Sequence, residues 1–264
     1  MQNWITDKDK ERSYSSHIIP DLLRVIANLK NQNIDKVLDI GCGYGGITKL
    51  VGDYLGASEL HGIDIDDEAV ISVEQKGIKA LNLDAENEEL PYEDNYFDLI
   101  LSLGILDYFK FWDHPILEIR RVLKVGGYVL ISLPNLASWH NRIALLLGYQ
   151  PRDIEVSSRY LVGVHSFYKK RGESVVGHVH TITAFGFKEL MERHGFETAA
   201  LVGANTITSR VPKILLFVNG VLKHILPVNL SKRFIYLGRK TGVEPEPVQN
   251  PSWWQGFYNK RSKG

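Results

Sequence analysis

A glycine-rich segment near the start of the chain has the composition of a ligand cradle. The apolar run 37–40 contains one carboxylate, Asp39, and leads directly to Gly41, Gly43 and Gly45. Glycine lets the backbone turn sharply and approach a bound molecule where any Cβ would collide. A helix predicted to follow offers free N–H groups to the same molecule. Because the segment also satisfies G-x-G-x-x-G, the glycines alone leave the nature of the nucleotide open.

Acidic residues follow two further apolar runs. Asp64 ends the predicted strand 59–63, where a carboxylate accepts hydrogen bonds from ribose hydroxyls, and Ile65 after it can lie against a base. Asp84 and Ala85 follow a third run, and Asp84 can accept from an exocyclic amine. A helix cap is the alternative role for Asp64, and a solvated loop carboxylate is the alternative for Asp84.

The elements that would position these residues alternate between strand and helix. Apolar runs predict strands at 36–40, 59–63, 78–83, 97–103, 128–133, 196–202 and 234–238. Helical spacing predicts helices at 17–29, 47–55, 68–75, 115–123 and 187–194. We therefore expect an α/β fold with a doubly wound, mostly parallel seven-stranded sheet. Residues 1–243 form a single predicted domain, 135–180 an insert after the fifth strand, and 244–264 a tail.

Four histidines fall in or beside the predicted insert: His140, His165, His178 and His180. Histidine suits proton removal near neutral pH, and the insert should lie near the carboxyl edge of the sheet. A surface or packing role is the alternative for each of them. His178 and His180 are expected on one face of a strand, but no third ligand accompanies them, so no metal site is predicted.

An ordered series of motifs resembles the class I, Rossmann-like S-adenosylmethionine-dependent methyltransferases. The motifs are Asp39-Ile40-Gly41-Cys42-Gly43-Tyr44-Gly45, Gly62-Ile63-Asp64, Leu90-Pro91-Tyr92-Glu93-Asp94-Asn95-Tyr96-Phe97-Asp98 and Arg121-Val122-Leu123-Lys124-Val125-Gly126-Gly127. The resemblance covers residues 36–135 and implies S-adenosyl-L-methionine as cofactor. It implies that Asp39 and the turn Gly41–Gly45 hold the methionine part, Asp64 the ribose, and Ile65, Asp84 and Ala85 the adenine. Leu103 and Gly104 would line the pocket floor.

The second half of the chain resembles the branch of that family that modifies sugars, surface polysaccharides and other small molecules. Ser132-Leu133-Pro134-Asn135 and Gly177-His178-Val179-His180 carry this likeness. It implies a small-molecule or glycan acceptor, with a hydroxyl as the expected methylated group. His178 is the expected base, and His180, where the branch has arginine, is expected to orient the substrate. The segment Ile105-Leu106-Asp107-Tyr108 departs from the familiar Val-Leu-Glu-His, so no histidine role carries over there.

Bulk properties restrict the remaining choices. The formal net charge is zero, so no nucleic-acid partner is expected, and an RNA methyltransferase would favour a basic surface. Cys42 is the only cysteine and no apolar signal core is present, which favours the cytoplasm. The longest apolar stretch, 214–226, is too short and too polar for a transmembrane segment.

Residues 211–226 are amphipathic, and three roles remain open for them. They would cover the acceptor entrance, where an apolar surface suits a lipid-linked substrate, form a homodimer interface, or pack beneath the last strand. Two other functions also remain open for the chain. One is a non-catalytic S-adenosylmethionine-binding regulatory protein, and the other is an NAD-dependent oxidoreductase, which shares the glycine turn and the acidic residue.

Overall fold

Helices and strands alternate along the first half of the chain. The computed structural model describes residues 18–166, 175–204 and 227–245. Its strands are β1 (Lys36–Ile40), β2 (Glu59–Asp64), β3 (Lys79–Asn82), β4 (Phe97–Leu103), β5 (Leu123–Pro134), β6 (Phe196–Ala204) and β7 (Arg233–Lys240). Its α-helices are α1 (Ile19–Ile26), α2 (Gly46–Leu55), α3 (Asp67–Glu74), α4 (Asp113–Val122), α5 (Trp139–Leu146) and α6 (Ala184–Arg193).

The strands form one seven-stranded sheet in the order β3-β2-β1-β4-β5-β7-β6. The first five are parallel, whereas β7 runs antiparallel between β5 and β6. The predicted α/β doubly wound, mostly parallel sheet is confirmed. The strand order reverses between β1 and β4, and ligands in open α/β sheets bind beyond the carboxyl ends of the strands at such a point.

Helices cover both faces of the sheet and exclude water from it. Buried residues of α4 and α6 pack with one face, against a cluster that includes Phe97, Phe187 and Tyr236. Residues of α1 and α2 pack with the other face, where Leu22 and Val51 are fully buried. Fully burying an aliphatic or aromatic side chain contributes about 1.5–3 kcal/mol, so these two layers hold the strand ends in place.

Side-chain caps fix the starts of two helices. The Asp66 side chain caps α3 by accepting from the Glu68 N–H, which leaves Asp64 outside the cap. The Thr183 hydroxyl accepts from the Gly186 N–H at 3.0 Å and caps α6. The start of β5 differs from its predicted position. The predicted helix 115–123 and strand 128–133 leave Gly126 and Gly127 in a connection, but β5 already begins at Leu123 and contains both, beside a register shift against β4.

The described residues between β5 and α6, 135–166 and 175–183, have little regular structure. They contain α5 and one isolated bridge between Asn135 and Ile182. His178 and His180 do not lie on a strand, so the expectation of one shared strand face is wrong. The predicted amphipathic segment 211–226 lies outside the described residues, as does the tail from residue 246 onward. In the described part of the chain no helix is both long and apolar enough to cross a membrane.

Candidate cofactor and acceptor site

The glycine turn after β1 adopts a backbone that only glycine takes up without strain. Gly41, Gly43 and Gly45 have φ of 74°, 50° and 73°, in the left-handed region. A Cβ at Gly41 would lie 2.8 Å from Cγ1 of Ile105, so the turn also packs tightly against the chain after β4. Gly45 is then the N-cap of α2. The glycine turn is therefore present, and its close packing against Ile105 fixes its position.

Asp39 is a buried carboxylate at the carboxyl end of β1. The Thr48 hydroxyl on α2 donates to its Oδ2 at 2.6 Å, and no lysine or arginine in the described chain forms an ion pair with it. Burial raises the pKa of Asp39 to about 7, although the Thr48 hydrogen bond acts against this. A buried carboxylate without a cation is costly, and a bound ammonium group would offset that cost.

Asp64 joins the end of β2 to the glycine turn. Its Oδ2 accepts from the Gly43 N–H at 2.7 Å, and its Oδ1 accepts from the Asp66 N–H at 3.0 Å. Each carboxylate oxygen accepts more than one hydrogen bond, so the group can still receive ribose hydroxyls. Ile65, directly after it, is 70% exposed, which leaves an apolar side chain for a base to lie against.

The loop that follows β3 is joined by a hydrogen bond to the chain after β4. Asp84 accepts from the Glu86 N–H at 3.0 Å and from the Asn87 side-chain amide at 2.8 Å, so it holds its own loop together. Ala85 is buried in the core next to it. Glu86 in turn accepts from the Lys110 N–H at 2.6 Å, which ties the β3 loop to the chain after β4.

Leu103 and Gly104 end β4 between the glycine turn and β5. Leu103 is buried, and the Gly104 N–H donates to the Ser132 carbonyl at 2.9 Å. Gly104 has a φ of 75°, so the chain turns sharply there before it reaches Ile105. The structure thus brings the predicted cofactor residues to one edge of the sheet through the ends of β1, β2, β3 and β4.

His178 lies beside the carboxylate of Asp107, a residue to which the sequence alone assigns no role. Its Nε2 lies 3.2 Å from Oδ2 of Asp107, and its imidazole packs edge-on against Tyr108. Burial raises the pKa of Asp107, while the charges of Arg233 and His178 act in the opposite direction. Nδ1 of His178 is buried and has no hydrogen-bond partner in the described part of the chain.

The backbone around His178 is fixed by the same segment. The Asp107 carbonyl accepts from the N–H groups of Val179 at 2.8 Å and His180 at 3.2 Å. His180 is exposed, and its Nε2 lies 2.9 Å from the Lys110 carbonyl. The two histidines therefore have separate partners. This geometry gives His180 the role of an anchor between the returning chain and the loop after β4.

A second histidine–carboxylate pair lies in the insert. His140 Nε2 is 3.4 Å from Oδ2 of Asp153, which also accepts from the Asn141 side chain at 3.2 Å. Burial acts to raise the pKa of Asp153, but the nearby His140 and Lys232 outweigh it and lower the pKa to about 2. His165 instead packs edge-on against Tyr149, so it belongs to a different part of the insert.

Asp107 and Thr48 are the residues near this site that the sequence interpretation did not select. A signal for Asp107 exists, because it occupies the acidic position of the motif segment 105–108 in which the histidine is replaced. Thr48 carries no comparable signal, since a threonine in the first turn of a helix has many ordinary roles. Within the described ranges no group of three histidine, cysteine or acidic side chains lies close enough to hold a metal ion.

The residues at this edge fit S-adenosylmethionine. A Cβ would fill the backbone cradle at Gly41, and Asp39 supplies a buried negative charge for an ammonium group. Asp64 supplies acceptors for hydroxyls, and exposed Ile65 an apolar face. Each chemical part of the cofactor thus has a complementary group.

The known proteins that this chain resembles include methyltransferases. Residues 38–131 match the model of a family described as "Methyltransferase domain". The chain is 23% identical over 184 residues, 67% of each protein, to a phthiotriol/phenolphthiotriol dimycocerosates methyltransferase of Mycobacterium tuberculosis. It is 35% identical over 102 residues to a ubiquinone/menaquinone biosynthesis C-methyltransferase of Burkholderia mallei, 36% of this chain and 42% of that protein.

The fold also recurs among solved structures. One is a SAM-dependent methyltransferase from Archaeoglobus fulgidus, with a TM-score of 0.56 at 16% identity, covering 90% of this chain and 100% of the other. At that identity the likeness concerns the fold alone. Together with the matched family model, it favours the methyltransferase prediction over the oxidoreductase alternative.

Proposed function

We propose that this chain, a class I S-adenosylmethionine-dependent methyltransferase, methylates a hydroxyl of a small-molecule or glycan acceptor with His178 as the base. The observation that carries the proposal is the 3.2 Å contact between His178 Nε2 and Asp107 Oδ2. It combines a group able to accept a proton with a carboxylate that fixes its orientation. General-base assistance of this kind is typically worth about 10²–10⁴-fold in rate.

The position of this pair supports a role at the reacting centre. Gly41 packs against Ile105, and Asp107 follows Ile105 by two residues in the loop after β4. The Asp107 backbone then binds residues 179 and 180, which hold His178 beside the same loop. A short, tightly bonded path therefore connects the cofactor cradle to the imidazole.

The Asp107 carboxylate, 3.2 Å from Nε2, favours the tautomer of His178 that carries its proton on that nitrogen. In this tautomer the neutral ring keeps its lone pair on Nδ1, which can accept a proton. Nδ1 is shielded from bulk water and has no partner among the described residues. Proton transfer to it therefore requires the acceptor hydroxyl itself to enter the site. Asp107 acts as the positioning residue for this base.

S-adenosylmethionine, when bound, supplies a methyl group on a sulfonium that reacts by in-line displacement. The chain contributes alignment, which accounts for a large part of the rate in such a step. Asp39 and the turn Gly41–Gly45 would hold the amino-acid part, and Asp64 the ribose. Ile65, Asp84 and Ala85 would surround the adenine, and Leu103 and Gly104 would line the pocket floor.

The acceptor class is inferred more broadly from relatives. One relative's name describes a methyltransferase acting on phthiotriol dimycocerosates, and another's describes a C-methyltransferase of quinone biosynthesis. These names support a small-molecule or lipid acceptor, whereas a glycan acceptor rests on the sequence resemblance alone. The hydroxyl assignment rests on His178, because a carbon or nitrogen nucleophile of low pKa needs no such base.

The test is turnover with methyl-labelled S-adenosylmethionine against hydroxyl-bearing sugars, lipid-linked glycans and small aromatics. With the acceptor found, His178→Ala should lower kcat by about 10²–10⁴-fold and change cofactor affinity by less than about twofold. Near-normal turnover would contradict the proposal. Joint loss of cofactor binding and folding would also contradict it, by making His178 structural.

Two further variants control this experiment. His194→Ala removes a histidine that is bonded to Leu190 and Asp113 near the amino edge of the sheet, so turnover should be retained. Asp107→Ala should lower kcat and leave cofactor affinity unchanged. When combined with His178→Ala it should add almost nothing, because residues that act as one unit are not additive. Additive losses would show that Asp107 does not work through His178.

A further inference from the structure

Apolar side chains exposed to solvent are concentrated in one short stretch of the insert. Of the seventeen large apolar side chains exposed in the described part of the chain, eight lie within residues 143–162. They are Ile143, Leu145, Leu146, Leu147, Tyr149, Val156, Tyr160 and Val162. Exposed apolar residues are ordinarily scattered singly, so a concentration of this kind marks an interaction surface.

The end of α5 forms the centre of this surface. Leu145, Leu146 and Leu147 are 58%, 85% and 63% exposed. The following loop folds back beside them, since the Gln150 N–H donates to the Gly163 carbonyl at 2.8 Å. We call Ile143, Leu145, Leu146, Leu147 and Tyr149 the α5 patch.

Within residues 135–166, the charged side chains that are exposed are all positive. Residues 135–166 contain two acidic side chains, and both point inward. Asp153 is buried with His140, and the Glu155 side chain is 4% exposed and bonded to Arg152 and the Val176 N–H. Arg142 and Arg159 are exposed.

We propose that the α5 patch inserts into the interfacial layer of an anionic lipid bilayer, with the arginines among the headgroups. Apolar side chains flanked by cations and lacking exposed carboxylates match the requirements of such a surface. A second copy of the chain fits less well, because it would bring two positive surfaces together without carboxylates to pair them. If the proposed function holds, the enzyme meets its acceptor at a lipid surface, but the binding itself does not depend on that function.

The test is co-sedimentation of the full chain with vesicles. Phosphatidylcholine vesicles containing about a third phosphatidylglycerol should bind the protein, and pure phosphatidylcholine vesicles should bind it more weakly. The double variant Leu146→Ser, Leu147→Ser should weaken binding to the anionic vesicles by about tenfold or more. Ile71→Ser is the matched control, since Ile71 is 57% exposed on α3, away from the insert, and its loss should leave binding unchanged.

Two further measurements separate the possible outcomes. Arg142→Gln with Arg159→Gln should weaken binding to anionic vesicles only, and added salt should do the same. The proposal is overturned if wild-type protein ignores anionic vesicles, or if the leucine variant binds like wild type. It is also overturned if light scattering shows a dimer that the leucine variant dissociates. Cofactor affinity by calorimetry should be unchanged in all variants, so failure here is distinct from failure of the proposed function.

Discussion

The strand ends that carry Asp39 and Asp64, which we call the cofactor edge because they are proposed to bind the cofactor, differ in construction from the insert. At the cofactor edge, the side chain of Asp39 bonds to Thr48 nine residues away, and Asp64 bonds to Gly43 across 21 residues of one β-α-β unit. In the insert, His180 bonds to Lys110 across 70 positions, and His178 pairs with Asp107 in the same loop. The β-α-β unit thus positions the side chains of the cofactor edge. In the insert, single contacts between residues far apart in the sequence position the histidines.

Two buried carboxylates make this difference measurable. Asp39 has a hydroxyl as its hydrogen-bond donor, and burial raises its pKa to about 7. Asp153 is also buried, but the nearby His140 and Lys232 outweigh burial and lower its pKa to about 2. Among the described residues, Asp39 therefore has no cationic partner, whereas Asp153 has His140 and Lys232 close by. This contrast favours the binding of a cationic ligand beside Asp39 and not beside Asp153.

The largest predicted effect is an opposite pH dependence of stability at these two positions. Asp39 binds its proton more tightly when folded, so its favourable contribution is present below about pH 4 and is lost as the pH rises towards 7. Asp39→Asn should therefore become more stable than wild type above pH 7, by up to about 4 kcal/mol at 1.36 kcal/mol per pKa unit. Asp153→Asn should lose up to about 2 kcal/mol at neutral pH, a difference that disappears as the pH falls from 4 to 2.

Urea unfolding of both variants and wild type, at several pH values and without ligand, checks these signs. Each asparagine keeps the shape of the carboxylate and removes its charge, so each variant serves as the other's control. If the two variants showed the same sign of pH dependence, the contrast between the regions would be lost.

A smaller effect is expected at the glycine turn. Gly41 and Gly56 have nearly equal φ, 74° and 75°, but a Cβ at Gly41 meets Ile105 whereas a Cβ at Gly56 meets nothing within 4 Å. Both alanine variants suffer the left-handed strain of about 1–2 kcal/mol. Gly41→Ala adds a packing clash, so it should be destabilised by about 2 kcal/mol more than Gly56→Ala in urea unfolding. Equal losses would mean that the cradle and the loop after β4 are not tightly coupled.

The same contrast explains how much of the structure could be predicted from the sequence. The strand ends carrying Asp39 and Asp64 follow from apolar runs and glycine chemistry, because these signals lie within a few residues of each other. The partner of His178 could not be predicted, since Asp107 is about seventy positions away and the backbone at residues 175–180 follows no regular periodicity. Gly126 and Gly127 misled the interpretation for a local reason. The paired glycines indicated a turn, yet a bulge beside β4 takes them into β5.

The most direct test of the account is calorimetric titration of S-adenosylmethionine into Asp64→Ala and His178→Ala. Asp64 would accept hydrogen bonds from the ribose hydroxyls, and losing charge-assisted hydrogen bonds of this kind costs about 1.5–3 kcal/mol. We expect Asp64→Ala to weaken the affinity for S-adenosylmethionine by about ten- to a hundredfold. His178→Ala should change the same affinity by less than about twofold. Unchanged affinity in Asp64→Ala, or an equal loss in both variants, would contradict the separation between a cofactor edge and an acceptor base.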